Sequence, residues 1–159
     1  AEELGLPLED LYLDPLVLTV NGCQEHGPET LNAIRSFKML WDPPPMTTVG
    51  LSNISNSVPH ENRGLLNRTY LVMLMACGLD SDIADPLDEA QNEVIRIIEE
   101  RDDSTGVGKA YLALYDTVAM MEEFEPDQVD MDDPKQEAIY KTVRILQNEI
   151  IYAHGYLTT

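Results

Sequence analysis

Basic residues are scarce in this chain. Ten Lys plus Arg stand against 29 Asp plus Glu, leaving a formal charge of −19. A field of that sign repels a phosphate backbone and an anionic bilayer, so neither nucleic acid nor a membrane surface is expected as a partner. Long apolar runs are missing too: none approaches the roughly 18 residues of a membrane span. The start, Ala1-Glu2-Glu3-Leu4-Gly5, has no initiator Met and no basic-then-apolar leader, and reads as the middle of a longer chain. Only two cysteines occur, Cys23 and Cys77, far apart and in no CxxC pair, which signals neither a zinc site nor a disulfide framework. Free thiols fit a reducing compartment, and a cytoplasmic location is expected. Without a leader, the sequons Asn53-Ile54-Ser55 and Asn67-Arg68-Thr69 carry no weight. His26, His60 and His154 are scattered and no HExxH occurs, so no bound metal is expected. There is no Gly-rich dinucleotide loop and no GxxxxGK[ST]. Gly106-Val107-Gly108-Lys109 lacks the spacing and the following hydroxyl of a phosphate loop and reads as a helix-entry turn.

What is present is a globular composition, 43% hydrophobic and 25% charged, at a length that suits one domain or a piece of one. Leu11 to Leu18 reads as a buried strand interrupted by Asp14. A helix opens near Pro28 and carries Leu31, Ile34, Phe37 and Leu40 on one face until Asp42-Pro43-Pro44-Pro45 stops it. Thr47 to Ser52 is a second strand, followed by a polar loop and a helix from about Leu65 to Cys77, apolar nearly all round at its end. Ser81 to Asp85 is a third short strand. Asp88 caps the next helix, with Ala90, Val94 and Ile97 inward. This β/α alternation predicts an α/β protein with a parallel sheet, either an open doubly wound sheet or a β/α barrel. In both, ligands sit at the carboxyl ends of the strands, where Asp14 and Asn53 lie. Further on, Tyr111, Leu114, Tyr115, Val118 and Met121 predict an amphipathic helix, and residues 122–133 an acidic linker. Asp133-Pro134-Lys135-Gln136 looks like an N-cap, a first-turn Pro and a capping-box partner. The final helix carries Ile139, Val143, Leu146 and Ile150 on one face, with Gly155 as its stop.

Five strings occur in a fixed order: Leu11-Tyr12-Leu13-Asp14-Pro15-Leu16, Gly50-Leu51-Ser52-Asn53-Ile54-Ser55, Asn67-Arg68-Thr69-Tyr70, Met75-Ala76-Cys77-Gly78-Leu79-Asp80, and Ile83-Ala84-Asp85. Together they resemble the methyltetrahydrofolate:corrinoid/iron–sulfur protein methyltransferases. The pterin-binding domain of cobalamin-dependent methionine synthase is a more distant relative of that family. The resemblance runs from about residue 1 to 93 and resumes weakly in the final helix. It implies an α/β fold, the C-terminal part (about strands six to eight) of a TIM-type eight-stranded barrel, with residues 1–93 as barrel units. Residues 94–138 become a helical insertion with an acidic linker, expected at the surface, and residues 139–159 a closing helix. It further implies methyltetrahydrofolate as methyl donor, a corrinoid (cobalamin) on a partner protein as acceptor, and a homodimer in the full-length form.

Residue by residue, Asp14 matches the carboxylate that accepts from the pterin's N–H edge, a charge-assisted contact. Asn53 matches the Asn beside N5, the nitrogen that carries the methyl group. Hydrogen bonding there stabilises a poor leaving group in the transition state. Asn56 and Arg63 fall near the pterin or its tail, in a loop about two residues longer than in relatives. Ser52 positions Asn53 or ends the strand. Read without the resemblance, Asp14 is equally an Asp-Pro turn residue and Asn53 an ordinary loop residue. Further pterin contacts belong to strands this sequence does not contain, so activity of the chain alone is not expected. Two other readings stand beside this one. A dihydropteroate synthase relative would carry a basic Ser-Arg-Lys type string where this chain has Leu51-Ser52-Asn53-Ile54. A non-catalytic barrel piece would retain only an inherited site.

Overall fold

A computed structural model describes Glu3 and residues 5–158. Ala1, Glu2 and Leu4, on which the reading of the chain's start rests, lie outside the described residues, as do Thr159 and the side chain of Glu9. Three short strands, β1 (Tyr12–Leu13), β2 (Met46–Val49) and β3 (Ser81–Asp82), form a parallel sheet in the order β1-β2-β3. Tyr12 pairs with Met46, Leu13 with Thr47, Thr48 with Ser81 and Val49 with Asp82. Helices follow each strand: α1 (Val20–Cys23) and α2 (His26–Leu40) after β1, α3 (His60–Ala76) after β2, and α4 (Glu89–Glu100) after β3. Then come α5 (Gly106–Ala119) and α6 (Pro134–Leu146). Strand alternation puts Thr47 and Val49 into the core, while Met46 and Thr48 on the opposite face are half-buried and Tyr12, level with Met46, is exposed. Among the described residues no helix is long and apolar enough to cross a membrane.

β1 is far shorter than the apolar run from Leu11 to Leu18. Asp14 Oδ1 accepts the Leu16 N–H at 2.8 Å, Pro15 has no N–H to donate, and Leu16 takes φ 66°. These three features end ladder pairing after Leu13. Helix α2 starts two residues before Pro28, which still lies in its first turn. Helix α3 starts at His60, five residues ahead of Leu65, with Pro59 supplying its N-cap. Its residues Leu66, Thr69, Tyr70, Leu71, Val72, Met73 and Leu74 are all buried, as the near-continuous apolar sequence requires. Cys77 is buried behind them, and both cysteines are free.

The segment expected as a surface insertion contributes heavily to the interior. Helix α5 packs on α3, α4 and α6, and Ala110, Tyr111, Leu112, Leu114 and Val118 are buried. Its start is an ordinary helix entry, with Thr105 Oγ1 accepting the Gly108 N–H at 2.9 Å. Arg101, left-handed at φ 57° after α4, forms an ion pair with Asp116 of α5 at 2.5 Å. Asp133 caps α6 as expected, by accepting the Lys135 N–H. Gln136 does not close the expected capping box: its Oε1 accepts from Asp130 N and its Nε2 donates to Asp133 Oδ2. Helix α6 ends at Leu146, before Ile150 and well before Gly155. Asn148 adopts φ 60° and the chain turns back, Glu149 N donating to Arg144 O at 2.8 Å.

Two polar devices fix the layers. At the amino end of β3, Asp80 accepts from the Lys38 ammonium, from Thr47 N at 2.6 Å and from Thr47 Oγ1 at 2.8 Å. Burial disfavours its charge, but Lys38 and both Thr47 donors outweigh that and hold its carboxyl below the ordinary 3.8. At the other side of the core, Tyr70 OH donates to Gly27 O at 2.8 Å, and Gly27 lies so close to α6 that an added Cβ would sit 2.8 Å from Leu146 O.

Two outcomes are expected. Leu114→Ala should lower the unfolding free energy by about 2–5 kcal/mol in urea titration, as for a core leucine, whereas a surface helix would give under about 0.5 kcal/mol. Asp80→Asn should cost about 1–3 kcal/mol at pH 7. Because the folded pKa is depressed, this contribution is complete above the ordinary carboxyl range and disappears as pH falls through the lower folded value. The gap between wild type and variant should therefore close below about pH 4 and stay constant above about pH 5.

Candidate functional site

The carboxyl ends of β1 and β2 bring the sequence-selected polar residues to one edge of the sheet. Asp14 follows β1 directly. After β2, Gly50 (φ −86°, ψ 82°) turns the chain out of the strand into a 3-10 helix, Leu51–Ser55. Three residues per turn stack Leu51 above Ile54, and both are buried. Ser52 and Asn53 within the helix and Asn56 at its C-cap are exposed. Of the two roles expected for Ser52, positioning Asn53 or ending the strand, the second does not hold: β2 stops at Val49, and Ser52 lies in this helix directly before Asn53.

The two strand-end loops are tied together by hydrogen bonds. Thr19 Oγ1 donates to Asn56 O at 2.6 Å, and Asn21 Nδ2 donates to Ser57 O at 3.0 Å. Thr19 Oγ1 also accepts the Asn21 N–H at 3.1 Å. Arg63, half-buried in the first turn of α3, donates from Nε to Ser55 Oγ at 3.3 Å, which links the helix to the loop that carries Asn53. Sequence reasoning passed over Thr19 and Asn21. Their signal was a Thr-x-Asn pair, an ordinary turn pattern until its partners at residues 56 and 57 are known.

Within this frame, the reacting edges stay available. Asp14 uses Oδ1 for its own turn, as an Asp-Pro turn residue would, and Oδ2 accepts no hydrogen bond among the described residues. The Asn53 backbone is engaged, its N–H donating to Gly50 O and its carbonyl accepting from Asn56 N, both at 3.1 Å. Its side-chain amide makes no hydrogen bond among the described residues. That amide folds over the strand end, since an added Cβ on Gly50 would lie 3.1 Å from Nδ2. The edge thus offers a carboxylate acceptor on one strand end and an amide, donor and acceptor at once, on the next. Asp82, level with Val49 on β3, is half-buried, and burial raises its carboxyl above the ordinary value. No group of His, Cys, Asp and Glu able to hold a metal ion occurs among the described residues.

No protein-family model matches the chain. Over 83 residues, half of the chain, it is 37% identical to methionine synthase of Mycobacterium tuberculosis (strain ATCC 25618 / H37Rv). Methionine synthase of Mycobacterium leprae (strain TN) matches with the same identity over the same length. The matched segment spans 7% of the length of each of these relatives. The chain therefore shares a segment with methionine synthases and is far shorter than they are.

Removing the Thr19 hydroxyl should loosen the site's frame more than the fold. In Thr19→Ala, amide hydrogen exchange at Asn56 to Val58 should accelerate at least tenfold, while the global unfolding free energy falls by about 1 kcal/mol. Unchanged exchange in that loop would show that the inter-loop bond does not hold it.

Proposed function

We propose that the chain is the C-terminal part, about strands six to eight, of a pterin-binding β/α barrel. Within a longer enzyme it would serve transfer of the N5-methyl group of methyltetrahydrofolate, or an analogue, to the cobalt of a corrinoid protein. The observation that carries this reading is the pairing of Asp14 and Asn53 at the carboxyl ends of adjacent parallel strands, in a chain that shares a segment with methionine synthases. Ligands of β/α barrels bind at that end. The donor and the corrinoid are both substrates, the latter brought by the partner. A cytoplasmic location and a homodimer of the full-length form belong to the same proposal.

In this reading Asp14 Oδ2 accepts from the N–H edge of the pterin and fixes its orientation. The Asn53 amide lies beside N5. While the methyl stays bound, it stabilises the protonated or hydrogen-bonded nitrogen. As the carbon–nitrogen bond breaks, it remains bonded to the nitrogen that retains the electron pair. Because an amide can donate or accept, one side chain serves both states. Ser52 and Asn56 flank it on the outward face of the 3-10 helix, and Arg63 supplies a cation on the side where α3 begins.

The test uses the longer enzyme that contains this chain together with the strands proposed to precede it. Asn53→Ala should reduce methyl transfer to the corrinoid protein about 100-fold, the scale of removing one transition-state donor, with methyltetrahydrofolate affinity changed far less. Turnover within twofold of wild type would overturn the reading.

A further inference from the structure

The helical layer carries an open cavity, away from the strand ends and lined by α3, α4, α5 and α6. Its volume is about 490 Å³, within the range of small-molecule sites. Val94, Ile97, Val107, Ala138 and Ile139 give it apolar walls. Tyr111 also lines it, and only 2% of that residue is exposed. The Arg68 guanidinium lies beside the Tyr111 hydroxyl. Thr69 Oγ1 is buried without a hydrogen-bond partner among the described residues, and Thr69, like Arg68, favours ionisation of the same hydroxyl. The open cavity thus combines apolar walls with a guanidinium and a tyrosine in its lining.

Ion pairing divides the basic residues into two sets. Lys38, Arg96, Arg101, Lys141 and Arg144 each have a carboxylate within 4 Å. Arg35, Arg63, Arg68, Lys109 and Lys135 have none among the described residues, and of these Arg68 and Lys135 line the cavity. The acidic residue on the cavity wall, Glu93, is already held by Arg96 at 2.7 Å. In a chain with 29 acids and ten bases, two cations facing one cavity without a carboxylate are a complementary surface for an anion. Burial pushes the Tyr111 hydroxyl up against the opposing influence of Thr69 and Arg68, so it remains a neutral donor at physiological pH.

We propose that this cavity binds a small amphipathic carboxylate, with its apolar body between α4 and α6 and its carboxylate held by Arg68 and the Tyr111 hydroxyl. Lys135, at the start of α6, adds a second positive charge at the cavity. The four walls come from four helices of one chain, which suits a compact ligand better than the face of a partner helix. The site is independent of the pterin reading, since none of its residues lies at the strand ends.

The experiment titrates the chain with decanoate and, separately, with decanol, following amide and methyl resonances by NMR. Decanoate should bind saturably at one site, shifting Val94, Tyr111 and Ala138, and at least tenfold more tightly than decanol. Arg68→Gln should weaken decanoate binding at least tenfold while changing decanol binding less than twofold. Tyr111→Phe, which removes only the hydroxyl, should weaken decanoate severalfold. Absence of saturable binding, equal affinity for the acid and the alcohol, or an unaffected Arg68→Gln variant would each overturn the proposal. So would dilution-dependent shifts of the same resonances that decanoate does not alter, which would assign the cavity to a second copy of the chain.

Discussion

Helix α3 has no polar face along residues 69–74, so it has to be enclosed, and enclosing it determines where most of the chain goes. The 3-10 helix after β2 covers one side with Leu51 and Ile54, and α5 covers another with Leu114 and Val118. Helices α2, α4 and α6 occupy the remaining approaches. A helix this apolar would aggregate if left half-covered, because its burial supplies the dominant favourable term in folding. The segment after α4 is therefore part of the solution to a packing problem, whatever its relation to other proteins.

The strand-end edge obeys a different constraint. Its backbone is held by hydrogen bonds between loops, from Thr19 and Asn21 to the chain at 56 and 57, while the Asn53 amide and Asp14 Oδ2 make no hydrogen bond among the described residues. Fixing the scaffold through one set of residues and keeping another set free is how a site stays ready for a ligand without collapsing on itself. Asp14 shows the two demands in one exposed side chain, with one oxygen fixing the turn and the other accepting no hydrogen bond among the described residues.

The β/α rhythm was legible because apolar periodicity and Pro or Gly punctuation record it directly, and the three strands, α2, α3 and α4 all lie where that rhythm places them. Lengths were less legible. An apolar octet cannot reveal that Pro15 and the turn at Asp14 stop hydrogen bonding after two residues, and Ser52 looks like a strand residue until the burial of Leu51 and Ile54 imposes a period of three. The depth of α5 was hidden because an amphipathic pattern does not say what its apolar face meets. Gln136 stands at the capping-box position, yet its amide reaches Asp130, since a side chain chooses among nearby backbone donors by geometry that spacing does not encode. Asp14 and Asn53 could be chosen from ordered strings; the loop bonds that frame them join residues 36 and 37 positions apart and leave no local mark.

The close approach of Gly27 to Leu146 has a consequence for how the molecule assembles. The start of α2 meets the end of α6 backbone to backbone, and next to it Gln24 accepts the Tyr152 N–H at 2.7 Å and donates to Ile150 O, partners 128 and 126 positions away. Such contacts close long loops, among the longest between the described residues, at a cost in chain entropy that rises slowly with loop length. The packing of β1, α1 and α2 therefore depends on α6 and the segment that follows it.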